Sequence, residues 1–261
     1  MIVAASAVML SGTPYAAQSK VSDGKTLNTK DMVDIQRTMP AFDAVELSDI
    51  ADVVYIQGDE SSIRIVGTRN LVDNLSAEVK DGTLVIAPKA KVAHKNFVIN
   101  GNERNGSKIS YLVVYVTSPV VERISVSSVG SFRCSGTMRS DDLSIKLSGV
   151  GSVNLRKVEC KRFAVNLSGV GGVESADVSA DAANIDCRGA GSLKLTLKDA
   201  ERVYVSHSGV GNTNVRFAGC GIVKCNMSGV GNMKLSGTVH SFDKSKSGFG
   251  TLNADGLKIL K

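Results

Sequence analysis

Through the second half of this chain a glycine-bracketed motif returns at an almost fixed interval. "LSGVGSVNL" stands at 147 to 155, followed by "LSGVGGVES", "CRGAGSLKL", "HSGVGNTNV", "MSGVGNMKL" and "KSGFGTLNA", with a degenerate copy, "VSSVGSFRC", at 126 to 134. The second glycines are Gly130, Gly151, Gly171, Gly191, Gly211, Gly231 and Gly250, so the intervals are 21, 20, 20, 20, 20 and 19 residues. A fixed period of this length means stacked units that share one core.

The phases within each unit specify strands. Two residues after the second glycine stand Phe132, Val153, Val173, Leu193, Thr213, Met233 and Leu252; four after it stand Cys134, Leu155, Ser175, Leu195, Val215, Leu235 and Ala254. Polar residues separate them, giving the period-two alternation of a strand with one buried face. A second alternation precedes each motif, with Phe163, Val165 and Leu167, then Ala183, Ile185 and Cys187, then Val203, Val205 and His207 facing inward. A third, weaker one joins them at Val158 and Cys160, Val178 and Ala180, and Ala218 and Cys220. No helical period is sustained there, and the spacing fits neither propeller blades nor hexapeptide coils. The prediction is an all-β chain: a parallel β-helix, a right-handed solenoid of about 20 residues and three short strands per coil, with strands of successive coils ~4.8 Å apart.

The motif itself reads as a corner. Thirteen of the 26 glycines lie in it: Gly130, Gly149, Gly151, Gly169, Gly171, Gly189, Gly191, Gly209, Gly211, Gly229, Gly231, Gly248 and Gly250. Stacked tight turns call for positive φ or close backbone approach, and glycine supplies both. The residue between the glycines (Val129, Val150, Val170, Ala190, Val210, Val230 or Phe249) is expected to point inward and plug the corner. All four prolines precede the regular coils, as a stack of donating N–H groups requires.

The rest of the chain is less regular. Residues 1 to 17, "MIVAASAVMLSGTPYAA", resemble a secretory signal, although no basic segment precedes them and Tyr15 fits the cleavage pattern poorly. Residues 18 to 40 are a polar lead-in, 41 to 125 an N-terminal β region continuous with the solenoid, and 126 to 261 the regular coils and a C-terminal cap. "LSDIADVVYIQGDESSIRIVG" at 47 to 67 echoes the repeat, with Val53 and Tyr55 in the first-strand phase, Ile63 and Ile65 in the second, and a corner without glycines at 48 to 51. "AEVKDGTLVIAP" reads as a hairpin about Asp81-Gly82, "ISYLVVYVTSP" as a strand, and the basic stretch 89 to 108 as an exposed loop. At the other end Lys244 and Lys246 replace core residues, as a polar cap would.

Taken together, these residues are similar to the family described as putative auto-transporter adhesin head, or GIN, domains of bacterial cell-envelope proteins. The resemblance runs from about 40 to 255 and rests on "FDAVELSDIADVVYIQG", "LVDNLSAEVKDGTLVI" and the recurring S-G-V-G corners. It implies an exported β-helical domain in the periplasm, at the outer membrane or on the surface, with no catalytic or ligand residues to carry over.

The residues themselves point to no catalytic, metal or cofactor site. A glycine loop for a dinucleotide works once, between a strand and a helix, whereas this corner recurs without helices. The coils lack the aspartates of calcium-binding β-rolls. Asp141-Asp142 is a pair, but adjacent turn carboxylates are ordinarily solvated, and no acid cluster of the glycosidase kind is evident. His207 shares the inward phase of Leu167, Cys187 and Met227; a buried histidine bonded to a backbone carbonyl is a simpler reading than a metal held with Cys187 or Cys225, since zinc wants three or four ligands. The five cysteines, Cys134, Cys160, Cys187, Cys220 and Cys225, lack paired spacing and read as small buried residues. The net charge of +6 is spread along the chain, so nucleic acid is not an expected partner, and no segment is a transmembrane span in the mature chain.

What remains is the surface. Asn166, Asp186, Ser206 and Asn226 form one outward row, a candidate contact ladder; Ser148, Ser168, Arg188, Ser208, Ser228 and Ser247 form another. Such rows suit surface glycans or envelope proteins, although every solenoid must solvate its outside. The sequence therefore points to a non-catalytic, adhesin-like interaction module, with a carbohydrate-active β-helix enzyme and an end-to-end polymerising element as the alternatives.

Overall fold

The computed structural model describes residues 32–89 and 112–261; the candidate signal segment and most of the basic stretch 89 to 108 lie outside them. The described chain is a parallel β-solenoid of about seven turns. Its regular coils run through β8 (Arg123–Val126), β9 (Val129–Arg139), β10 (Asp142–Leu147), β11 (Val150–Leu167), β12 (Val170–Cys187), β13 (Ala190–Lys198), β14 (Arg202–His207), β15 (Val210–Met227), β16 (Val230–Lys246) and β17 (Gly250–Ile259). Pairing is parallel and in register: Val150 stands opposite Val170, Leu155 opposite Ser175, Val158 opposite Val178 and Leu167 opposite Cys187.

Three faces follow from the alternation. Inward residues of one coil are Val153 and Leu155 on the first face, Val158 on the second, and Phe163, Val165 and Leu167 on the third. The parity flips twice, once near Arg156 and once near Lys161, where the chain bends. The second face is the irregular one, with register shifts between Ser175 and Val178 and between Phe217 and Cys220. There Phe217, rather than Ala218, fills the interior.

At the glycine corner the parity does not flip. Leu167, Gly169, Gly171 and Val173 all take the inward phase, so Val170 faces out. Val129, Val150, Val170, Val210 and Val230 are each about half exposed, and Phe249 is 94% exposed. The expected inward plug is therefore wrong. The interior has no room for a plug because the corner is where one coil's backbone rests on the next. A Cβ on Gly171 would fall on the carbonyl oxygen of Gly151, and one on Gly151 on that of Gly130. The first glycine of each corner obeys the same rule, Gly169 lying over the carbonyl of Gly149. Backbone bonds clamp the stack, with the Val170 N–H donating to Gly149 O at 2.9 Å and Ala190 to Gly169 O at 2.9 Å. In the degenerate first copy Ser128 replaces a glycine, and its hydroxyl donates to Asp49 O at 2.6 Å.

The N-terminal region caps the stack by an excursion. β2 (Ala44–Leu47) and β3 (Ala51–Gln57) form one coil, whose upper neighbours are β8 and β9. Val53 and Tyr55 take the first-face phase opposite Phe132 and Cys134, and the Tyr55 and Phe132 rings stack at 6.0 Å. The chain then goes the other way. β4 (Ser62–Thr68) runs antiparallel to β1 (Met32–Thr38) and to β7 (Leu112–Ser118), so Ile63 and Ile65 belong to a return strand instead of a second face. A short helix, α1 (Arg69–Asn74), leads to a hairpin of β5 (Leu75–Lys80) and β6 (Thr83–Pro88), turned at Asp81 and Gly82 with positive φ. β6 and β7 then pair in parallel beneath β2 and β3.

Two comparisons check this geometry. Val173→Ala should cost about 2–3 kcal/mol, whereas Val170→Ala should cost under about 1 kcal/mol; equal urea midpoints would contradict the parity assignment. Gly191→Val should cost about 3 kcal/mol or more and Lys194→Ala, an exposed partner of Glu174 at 2.7 Å, about 0.5 kcal/mol or less.

Candidate functional site

The outward side of the third face carries three parallel columns. The column farthest along the strands holds Asn166, Asp186, Ser206 and Asn226, which are direct register partners across four coils. Asp186 is partly committed, pairing with Arg188 at 2.6 Å. The neighbouring columns hold Ala164, Asn184, Tyr204 and Lys224, and Arg162, Ala182, Arg202 and Ile222. Between Tyr204 and the two alanines the surface sinks into an open groove of ≈ 670 Å³. Its walls are mostly apolar. Small side chains at Ala164 and Ala182 leave the depression, while Tyr204 and Ile222, 44% and 50% exposed, bound it. The cations of Arg162, Arg202 and Lys224 and the carboxylate of Asp142 lie along its rim, with Arg162 paired to Asp142.

The corner gives a second, shallower groove of ≈ 690 Å³, lined by the serine row and the outward valines. Ser148, Ser168, Arg188, Ser208, Ser228 and Ser247 are all exposed. The thirteen corner glycines lie beneath this strip as backbone contacts, not as a phosphate cradle.

Several carboxylates on these coils are ion-paired across one coil step. Asp141 meets Lys161 at 3.1 Å and Glu159 meets Arg139 at 2.8 Å. Asp177 meets Lys198 at 2.7 Å. The Asp141-Asp142 pair is thus held apart by two separate cations. Lys157 and Arg139 hold the Glu159 carboxyl below its usual range.

Inside the stack, His207 is fully buried, and its Nδ1 lies 2.9 Å from the Thr213 hydroxyl. Its Nε2 has no hydrogen bond of ordinary geometry, although the Val230 backbone acts on the ring in favour of its charge. Its hydrogen-bond partner is thus a threonine hydroxyl, with the expected backbone contact present as the influence of Val230. Burial outweighs the Val230 effect and lowers the ring's pKa from its ordinary 6.5. Among the described residues no three His, Cys, Asp or Glu side chains are grouped to hold a metal. The five cysteines are free thiols; Cys160 is half-buried and the other four are buried. Burial pushes Cys225 up to about 12; it does the same to Cys160, helped by the carboxylates of Asp142 and Asp181. Neither is a thiolate nucleophile at neutral pH. Lys244 and Lys246 stand in register with Cys225 and Met227 but are exposed on the last coil.

The groove residues Arg162, Arg202, Tyr204 and Lys224 escape a reading confined to one repeat at a time. They share the outward phase of the Asn166 row and emerge only when columns are read across coils. No helix among the described residues is long and apolar enough to cross a membrane.

A family model described as "Putative auto-transporter adhesin, head GIN domain" matches residues 41–220, more than half of the chain. A comparison with curated proteins gives no match. Among solved structures, the chain is similar to a putative adhesin from Bacteroides fragilis, with 25% identity and a TM-score of 0.74 over 88% of this chain and 100% of that one. A putative adhesin from Parabacteroides merdae is 18% identical, with a TM-score of 0.66 over 88% of this chain and 98% of that one. A structure from Parabacteroides distasonis described as a putative lipid binding protein is 22% identical, with a TM-score of 0.58 over 87% of this chain and 97% of that one.

The buried histidine makes stability depend on pH with a definite sign. Its folded pKa is depressed, so the unfolded chain takes up the proton first as pH falls below about 6.5. Stability is retained above that value and lost as pH falls through the folded pKa. His207→Met, matching Met227 in the next coil, should flatten the fall in melting temperature between pH 6.5 and 5 relative to the parent; an unchanged slope would contradict the assignment.

Proposed function

The chain belongs to the putative auto-transporter adhesin, head GIN domain family, and from that premise we propose that it is an exported, non-catalytic β-helical module. It works at the cell envelope or surface by presenting its third face to a partner. The observation that carries this reading is the groove beside the Asn166, Asp186, Ser206 and Asn226 ladder. It is a broad outward panel on a scaffold whose rows are fixed by backbone pairing. Such a panel holds side chains at a constant spacing and suits an extended partner making several weak contacts at once. Support for a non-catalytic role comes from the carboxylates. Asp142 and Asp186 each pair with an arginine, which is how acids that stabilise a surface behave, rather than a general acid and base facing one bond.

A second reading comes from the neighbour described as a putative lipid binding protein. The apolar walls of the groove would accept an acyl chain. Organic extraction of the purified chain followed by mass spectrometry should return no stoichiometric lipid if the first reading holds.

The main reading is tested in producing cells and with the whole chain on beads. Fractionation with protease accessibility should place the chain outside the cytoplasm, and coated beads should adhere to cells or isolated envelopes. Confinement to the cytoplasm, absence of adhesion, or turnover of a polysaccharide would each overturn it.

A further inference from the structure

We propose that the third-face groove is a binding site for an acidic glycan, a linear chain of uronate sugars lying across the coils, with Tyr204 as its platform and Arg202 and Lys224 as its carboxylate readers. This rests on the interaction-module reading above and gives that module a ligand chemistry.

Three observations converge. The first is charge. The groove is lined by three cations and one carboxylate, and the carboxylate, Asp142, is already paired with Arg162. Arg202 and Lys224 make no ion pair among the described residues, whereas Arg139, Lys161, Lys194 and Lys198 each meet an acid one coil step away. The register explains why. Arg202 has Ala182 and Ile222 as its register partners, and neither carries a carboxylate. Lys224 has Tyr204 on one side and Asp243 on the other, yet closes no bridge with Asp243, which lies outside the groove lining.

The second observation is the chemistry of the walls. Tyr204 is 44% exposed, a large aromatic left half in water on a face whose other outward residues, Ile222 apart, are small or polar. Its neighbours on the groove floor, Ala164 and Ala182, add no polar group. An aromatic face beside an apolar floor matches the C–H-rich side of a pyranose ring, and the phenol adds a polar tip. Arg202 lies two residues before Tyr204 on the same outward side, about 7 Å away along the strand, and Lys224 lies one coil, ~4.8 Å, beyond it. A sugar carboxylate at the edge of a ring stacked on Tyr204 thus has a guanidinium and an ammonium within reach, and guanidinium recognises carboxylates in a bidentate way.

The third observation is shape. The groove is open to solvent along the coils instead of closing into a pocket. An acyl chain gains most where it is enclosed and removed from water. A polymer of sugars can cross an open groove, and its residues advance by a length close to the coil spacing, so successive sugars meet successive coils. Asn184, beside Tyr204 in the preceding coil, offers an amide to ring hydroxyls.

The test uses the whole chain and a defined probe, a six-sugar oligogalacturonate. Its methyl ester keeps the sugars and removes the charge. Titration calorimetry should show binding of the acid, weakening as salt is raised, and at least a roughly tenfold loss for the ester and for Arg202→Gln. Tyr204→Ala should lose about fivefold or more. Lys194→Ala, on the first face, should bind like the parent, and unchanged melting temperatures should show that each variant is folded. Equal affinity for acid and ester, no binding of the acid at millimolar concentration, or undiminished binding by folded Arg202→Gln and Tyr204→Ala would overturn the proposal. Binding of phosphatidylglycerol vesicles or of single-stranded DNA in place of the uronate would overturn it too. The coated beads separate this failure from that of the parent reading: beads that adhere to cells while the chain ignores the uronate sink the glycan inference alone, and beads that do not adhere sink both.

Discussion

The stacking of a corner glycine on the carbonyl oxygen of the coil below is the contact on which this structure depends. At Gly151, Gly171, Gly191, Gly211 and Gly231 no side-chain atom can be added at Cβ without meeting that oxygen. The contact fixes how closely the coils approach and in which register. Once it is set, every other position falls into a column. Inside, Phe132, Val153, Val173 and Leu193 lie one above another, all buried. Outside, the same rule aligns the groove and its ladder. A defect at the corner therefore propagates to the interior and the panel together, because both inherit their spacing from it.

Most polar groups in the interior have a partner, although the Ser175 hydroxyl is buried without a hydrogen bond. Thr213 interrupts an aliphatic column and His207 another, and the two meet each other. Tyr55 lies between Val116 and Cys134 in its column and donates to Ser118 O at 3.1 Å. Burial of such groups costs stability unless a hydrogen bond compensates, so these pairs are tolerated in a core otherwise dominated by Val, Leu, Ile, Phe, Met, Ala and Cys. The two ends use different devices. Antiparallel strands close the N-terminal side, while Lys244 and Lys246 put charge in core phase on the last coil.

The coil architecture was legible because the repeat carries both a period and a parity. The alternations at Val153 and Leu155 and at Phe163, Val165 and Leu167 place those residues inside with no reference to anything distant. The same parity would have turned Val170 outward, since Val173 is an odd number of residues away. The inward expectation failed because it let the phase flip at the glycine corner as it does near Arg156 and Lys161. Other features were not local. Ile63 and Ile65 show a strand but not its direction, which is set by pairing with β1 and β7. The groove depends on Ala164 and Ala182 lying beside Tyr204 and Arg202, residues separated by one or two whole coils. Only the fixed register brings them together, and within a single repeat each looks like ordinary surface.

The position of the β2–β3 coil has a bearing on how the chain assembles. In a plain solenoid each new coil can template on the one made just before it, so growth can follow synthesis from the first residue onward. Here that coil is sandwiched between β6–β7 and β8–β9, both encoded after it. The β2–β3 coil thus waits as an unfilled layer until β6 and β7 seal its underside. Long-range closure of this kind is the slow part of building a β structure. The N-terminal block thus carries the long-range closure of the fold, whereas each glycine-cornered turn pairs with the turn one coil before it.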